Sequence, residues 1–319
     1  MNKRGLILFA ALAISSPMGF AQGSNFPNHP LSIIVPFSPG SSSDTTARFV
    51  AEKLPALLGQ AVIVENKPGA SGSIGLRAVK SLPADGYTIV QASISPMAVN
   101  PVVMKDLSYD PVKDFRPLFG MTRGMNVILV ANESKFKTLA DLIAAAKGPK
   151  PPSVGTFSAG YHLAAEWLAA EAGVKFLNIP YKGQGLIMAD LMGNQLDFAL
   201  VDLGGATPLL ASGKVRALAV SGETRHAEFP AIPAVKETFA NYVQYSWNSF
   251  YVRAQTPDDV TAKLSDALRT VMMSSDGKEL MKRVGMEFVP LPPADMQRFN
   301  RDELDRFRRI AKAAGVQPE

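Results

Sequence analysis

The sequence predicts an α/β protein of two lobes joined by crossing strands, with a cleft between the lobes. Three observations carry this expectation. Short apolar runs bounded by glycine and proline alternate with segments of helical period, the pattern of βαβ units around a mainly parallel sheet. That alternation begins at Leu31 and starts afresh after residue 125. From Val260 onward the chain is almost wholly helical, which lets its tail pack back on the first half.

The elements follow in order. Leu31–Pro36 reads as a buried strand that leaves through the loop Phe37–Gly40 into a helix over about Asp44–Leu58. Ala61–Val64 is the next strand, Gly69–Gly75 a glycine-rich turn into another helix, and Thr88–Ala92 a third strand. In the second half, Asn126–Val130 is a strand and Thr138 caps a helix over Leu139–Lys147. Val154–Phe157 is a strand feeding a helix that starts near Tyr161, and Leu177–Tyr181 leads to a helix over Leu186–Met192. Phe198–Val201, Ala217–Val220 and Ser249–Val252 are further strands; Val260–Met273, Gly277–Val284 and Asp295–Ala314 are helices. Residues 22–126 with 250–319 are expected to form the first lobe and 127–249 the second. The crossings are expected at Val127–Val130 and Phe250–Val252. No repeat of fixed period and no low-complexity stretch interrupts this plan.

The first residues set the compartment. Lys3 and Arg4 precede an apolar run, Leu6–Ile14, and Gly19-Phe20-Ala21 offers a small-x-small cleavage pattern, so a signal peptide (residues 1–21) cut after Ala21 is expected. The run is too short for a membrane span, which takes about 20 residues. The chain has no cysteine, which excludes disulfides, thiol nucleophiles, thiolate metal sites and a lipoprotein anchor. An exported protein free in the periplasm is the expectation. Loss of Lys3 and Arg4 lowers the formal charge from +5 to +3, and the excess is scattered. A nucleic-acid partner, which needs a clustered basic face, is not expected.

Ligands of open α/β sheets sit beyond the carboxyl ends of strands, where helices start. Ser38-Pro39-Gly40-Ser41-Ser42-Ser43-Asp44 is such a turn. Its glycine permits tight backbone, its serines cap the helix, and free N–H groups at the positive helix end suit an anion. Arg48, one turn after Asp44, is placed to neutralise that carboxylate. Gly155-Thr156-Phe157-Ser158-Ala159-Gly160-Tyr161-His162 is a second turn of this type in the other lobe, and its Phe157 and Tyr161 offer faces to a ring. Ser93 and Ser95 follow the third strand. Tyr181 and Asp202 end strands of the second lobe, and Lys182 is a candidate counter-ion. The first turn taken alone reads first as an ordinary capped helix, and each aromatic equally as a packing residue.

Catalytic signatures are missing. Gly155 to Ser158 has the wrong spacing for a nucleophile elbow, Gly69–Gly75 lacks the dinucleotide spacing, and no phosphate-binding Gly-Lys-Ser/Thr occurs. The histidines, His29, His162 and His226, are scattered along the chain, so neither a metal nor a cofactor is expected.

Several motifs together resemble one family. Pro36–Gly40 with Asp44 and Ala47-Arg48, then Val64–Ala70 with Gly72 and Gly75, are similar to the Bug, or TctC-like, extracytoplasmic solute receptors of tripartite tricarboxylate transporters. The likeness continues in Tyr109–Phe115, His162-Leu163-Ala164, Pro180–Gly183, Asp190-Leu191 and Gly213–Val220, and so covers nearly the whole mature chain. The resemblance implies a type II periplasmic-binding-protein fold that closes by a hinge on a small carboxylate, held by backbone N–H groups, hydroxyls and water. It also implies membrane transporter subunits as partners, and we expect a monomer. Carried onto this chain, the anchors are Gly40–Ser43 and Ser158–His162, with Ser93, Ser95 and Asp202 lining the remainder. Ser41 departs from the family's usual glycine, and Tyr161 from a usually smaller residue. With Phe37 and Phe157 close by in sequence, Tyr161 tilts the expected ligand toward an aromatic carboxylate. Two other classes stand beside this one: a ligand-loaded sensor subunit for a receptor kinase, and an exported hydrolase, which would need a nucleophile–base pair.

Overall fold

One strand of 17 residues, β4 (Phe115–Ala131), runs through both halves of the protein and organises the fold. The computed structural model describes residues 26–318, so the expected signal segment lies outside the described residues. Before β4 come β1 (Leu31–Val35), α1 (Ser42–Lys53), α2 (Pro55–Leu58), β2 (Val62–Asn66), α3 (Ser73–Lys80), β3 (Thr88–Ser93) and α4 (Asn100–Val103). After it come α5 (Leu139–Ala146), β5 (Ser153–Thr156), α6 (Ala159–Ala172), β6 (Leu177–Pro180), α7 (Gln184–Met192), β7 (Phe198–Asp202), α8 (Leu203–Ala211) and β8 (Val215–Val220). The return is made by β9 (Tyr245–Arg253), followed by α9 (Asp258–Met273), α10 (Ser275–Arg283), β10 (Glu287–Val289) and α11 (Pro293–Ala313).

In the first lobe β2, β1 and β3 are parallel neighbours, and β9 joins them antiparallel. From Phe115 to Met125, β4 pairs with β9. From Asn126 onward it pairs with β7 and β8, and β7, β5 and β6 continue the second sheet in parallel. The outward crossing therefore falls between Met125 and Asn126, and Val127–Val130 lies inside the second lobe. The return falls at Gln244, whose N–H donates to Ser221 O, and at Tyr245, which pairs with Met125. Phe250–Val252 lies inside the first lobe, paired with β3 and β4.

Local chemistry explains the element ends. The helix expected over Asp44–Leu58 breaks in two, because Pro55 has no N–H to continue the ladder. The short α2 then stops at Gly59, whose φ of 72° is left-handed. Thr138 and Asp141 form a capping box at the start of α5. Leu31, Ile33, Val50, Leu264 and Leu268 are buried together in the first lobe, and Leu129, Ile187, Leu191 and Val201 in the second. The tail helix α11 fastens to β9: Trp247 Nε1 donates to Glu303 at 3.0 Å, and Tyr251 OH to Asn300 at 3.0 Å. What this leaves between the lobes is a cleft at the carboxyl ends of the parallel strands.

Candidate functional site

Two cavities occupy that cleft. The inner one, of about 680 Å³, is lined by the loop Phe37–Ser43, by Ser93 and Ser95, by Phe157, Ser158 and Tyr161, and by Asp202, Ser246 and Asn248. The outer one, of about 780 Å³, is lined by Pro68–Gly72, Phe157–Ala159, His162, Glu166 and Tyr181. Phe37, Ser38, Phe157, Ser158 and Lys182 touch both and form the divide.

The inner cavity holds the stronger anion chemistry, because the N-terminus of α1 opens into it. Ser41 is the N-cap, its hydroxyl accepting from Asp44 N at 3.2 Å. Gly40 N donates to Asp44 Oδ2 at 2.9 Å, and Ser41 N to Ser38 O at 3.2 Å. The N–H groups of Ser42 and Ser43 have no hydrogen-bond partner among the described residues, and both residues line the cavity. Two adjacent donors at a positive helix end are what a carboxylate needs.

Asp44, expected among the ligand contacts, sits behind the first turn. It lines neither cavity; it is 2% exposed and braces the loop from behind. Its carboxylate also accepts from Arg48 Nε at 2.9 Å and from Asn66 Nδ2 at 2.8 Å, and Asn66 Nδ2 reaches Phe37 O at 3.0 Å. Burial pushes the Asp44 carboxyl up, but the hydrogen bonds from Arg48, Gly40 and Asn66 outweigh it, and the net direction is below the usual range. Thus Asn66, from the family-like Asn66-Lys67-Pro68-Gly69 motif, shapes the first turn without touching the cavity.

The second turn faces the first, but its donors are already used. Ala159 N donates to Ser71 Oγ at 3.0 Å and Gly160 N to Ser95 Oγ at 3.1 Å, while Ser95 Oγ donates to Ser158 Oγ at 3.0 Å. First-lobe hydroxyls therefore cap α6, where the sequence leads one to expect free N–H groups. Ser71 holds a left-handed backbone, φ 50°, to do so. Gly160 lines neither cavity, and a Cβ there would meet Ser95 Oγ at 2.8 Å. His162 and Tyr181 face the outer cavity, where His162 Nε2 lies 3.5 Å from Glu166 and Tyr181 OH donates to Asp190 at 2.6 Å.

The inner cavity's far wall is polar. Asp202 Oδ1 accepts from Tyr161 OH at 2.5 Å and from Ser246 Oγ at 2.6 Å, and burial of this carboxyl raises it above its ordinary range. Asn248 Oδ1 accepts from Gln91 Nε2 at 2.7 Å and Thr122 Oγ1 at 2.8 Å. Phe157 and Tyr161 pack together with ring centroids 4.3 Å apart. Sequence reasoning misses Ser246, Asn248 and the clasp residue Ser71. The available signal is in β9, where Ser246 and Asn248 place polar side chains at alternate positions of a mostly buried strand. Among the described residues no group of three or more His, Asp or Glu is placed to hold a metal ion, and no helix is long and apolar enough to cross a membrane.

Comparison with known proteins agrees with this architecture. The family model for the tripartite tricarboxylate transporter family receptor, TctC, matches residues 46–316. Protein BugT of Bordetella pertussis (strain Tohama I) is 30% identical over 316 residues, covering 97% of this chain and 96% of its own. A UPF0065 protein of Cupriavidus necator is 31% identical over 311 residues, covering 96% and 94%. An R. palustris protein solved with adipate has a TM-score of 0.87 at 29% identity, covering 92% of this chain and 100% of its own. The periplasmic binding protein BugD has a TM-score of 0.85 at 28% identity, covering 92% and 100%. With its two crossing strands and interlobe cleft, this chain belongs to the TctC family of tripartite tricarboxylate transporter receptors, periplasmic solute-binding proteins of the Bug type with the type II fold.

Proposed function

We propose that the protein, exported by cleavage after Ala21, captures a small organic carboxylate in the inner cavity, closes on it by a hinge, and presents the closed form to transporter membrane subunits. The observation that carries this is the pair of unpartnered N–H groups, Ser42 and Ser43, at the positive end of α1 inside an interlobe cavity. Hydroxyls of Ser93 and Ser95 border the same space. The relative solved with adipate supports a carboxylate as the cargo. Phe37, Phe157 and Tyr161 form an apolar wall, which favours an aromatic ring or a comparable aliphatic chain beside the carboxylate. A hydrolytic reading has less support: His162 pairs with Glu166 in the outer cavity rather than with a hydroxyl.

Closure follows from differential affinity. A ligand held by α1 alone gains further contacts only when the second lobe arrives, and that difference shifts the population toward the closed form. A thermal-shift screen over aromatic acids, dicarboxylates, amino acids and citrate identifies the cargo class. Calorimetry should then give one carboxylate per protein, and solution scattering a smaller radius of gyration on loading. Absence of binding by every carboxylate rejects the reading; saturation without compaction rejects the hinge. Co-purification with transporter subunits against receptor-kinase ectodomains separates delivery from sensing.

A further inference from the structure

We infer that Asn248 and Asp202 form a second subsite that selects carboxylates carrying a neutral donor–acceptor group, a hydroxyl or a carboxamide, elsewhere in the molecule. The inference rests on the carboxylate reading above and specifies the substrate class for the same cavity.

The geometry begins with β9. Ser246 and Asn248 are two residues apart on one strand and therefore share a face, about 7 Å from each other along it. Opposite them on β4 stand Gly124 and Thr122. Gly124, facing Ser246, has no side chain, and a Cβ there would meet Met286 Cγ at 3.3 Å and Gly285 O at 3.4 Å. Ser246 holds Asp202, and Asp202, Ser246, Asn248 and Gly124 all line the inner cavity.

The polarity of this wall is fixed by what lies behind it. Asn248 is 4% exposed, and its Oδ1 accepts from both Gln91 and Thr122. That pairing leaves the NH₂ as the free end of the carboxamide, with no acceptor among the described residues. Asp202 presents the opposite character. Both its protein donors, Tyr161 and Ser246, bond to Oδ1, and Oδ2 has no hydrogen-bond partner among the described residues. The wall thus offers a donor at Asn248 and an acceptor at Asp202 on one cavity. A hydroxyl or an amide carries both a donor and an acceptor for this wall, whereas a methyl pairs with neither and a second carboxylate sets two anionic oxygens against each other. The other charged side chains on the cavity are Lys182 and Arg283, both exposed, and neither is hydrogen-bonded to Asp202.

Two matched ligand series test this: para-hydroxybenzoate, benzoate and terephthalate, and ω-hydroxyhexanoate, hexanoate and adipate. Calorimetry at neutral pH should rank the hydroxylated member of the better-bound series first, by about tenfold or more over its methyl or hydrogen counterpart and over the diacid. Asp202→Asn keeps an oxygen for Tyr161 and Ser246 but turns the free acceptor into a donor, so the preference should move to the diacid. Asn248→Asp keeps the acceptor for Gln91 and Thr122 but removes the donor, so the hydroxyl advantage should fall at least about tenfold. Circular dichroism and melting of both isosteric variants verify folding. Equal binding of all members, or a diacid preferred by the wild type, overturns the subsite while the carboxylate reading stands. Failure of every member to bind overturns the carboxylate reading itself.

Discussion

Ser42 is placed to act through its nitrogen. It occupies the first position of α1, where an N–H has no helical acceptor and proline is tolerated. Ser42→Pro therefore deletes one donor while keeping the helix, and should weaken carboxylate binding by ~1.5–3 kcal/mol, the range for a hydrogen bond to a charged group. Ser42→Ala, which keeps the nitrogen, should lose much less. Calorimetry of the two variants decides this, and equal losses would assign the role to the hydroxyl instead. Asp44, two residues further along, belongs to stability. Its carboxyl is held below its usual range in the folded protein, so the stability it contributes is present above the ordinary carboxylate pKa and is lost as pH falls through the lowered one. Asp44→Asn should lower unfolding stability by ~1–3 kcal/mol at neutral pH, and the gap to wild type should shrink below about pH 4. Chemical denaturation at the two pH values measures it; a gap independent of pH would contradict the assignment.

At the scale of elements, the legible parts are those written in local chemistry. Gly40 with three serines between a strand and a helix marks the first turn, and Phe157–Tyr161 marks the second. The break at Pro55 is equally local, yet it is masked because the apolar period continues across it. Contacts between elements distant in sequence are not legible. Ser71 sits in a glycine-rich turn whose partner, the start of α6, is 88 residues away, and nothing near Ser71 names that partner. The polar wall stays hidden because the apolar run of β9 begins only at Ser249. Ser246 and Asn248 precede that run, and their polarity reflects the cavity they line. Another long-range contact joins α8 to the loop after α10: a Cβ on Gly204 would overlap the Val284 carbonyl. Gly204→Val should therefore hold the lobes apart, leave the melting temperature of the ligand-free protein within a few degrees, and weaken ligand binding at least about tenfold. Wild-type affinity in this variant would show that closure does not require the contact.

For the whole molecule, the restart of the α/β pattern after residue 125 is enough to predict two lobes and a cleft. It does not reveal that the cleft is split in two by Phe37, Ser38, Phe157, Ser158 and Lys182, since that division exists only once the lobes meet. Nor does it reveal that serines of one lobe cap a helix of the other, which takes up the donors at the start of α6 while those of Ser42 and Ser43 at α1 stay free. A crystal structure of the protein with the tightest carboxylate from the screen tests this most directly. Carboxylate oxygens should lie within hydrogen-bond distance of Ser42 N and Ser43 N in the inner cavity. A carboxylate seated in the outer cavity, or held by side chains with both nitrogens bare, would contradict this.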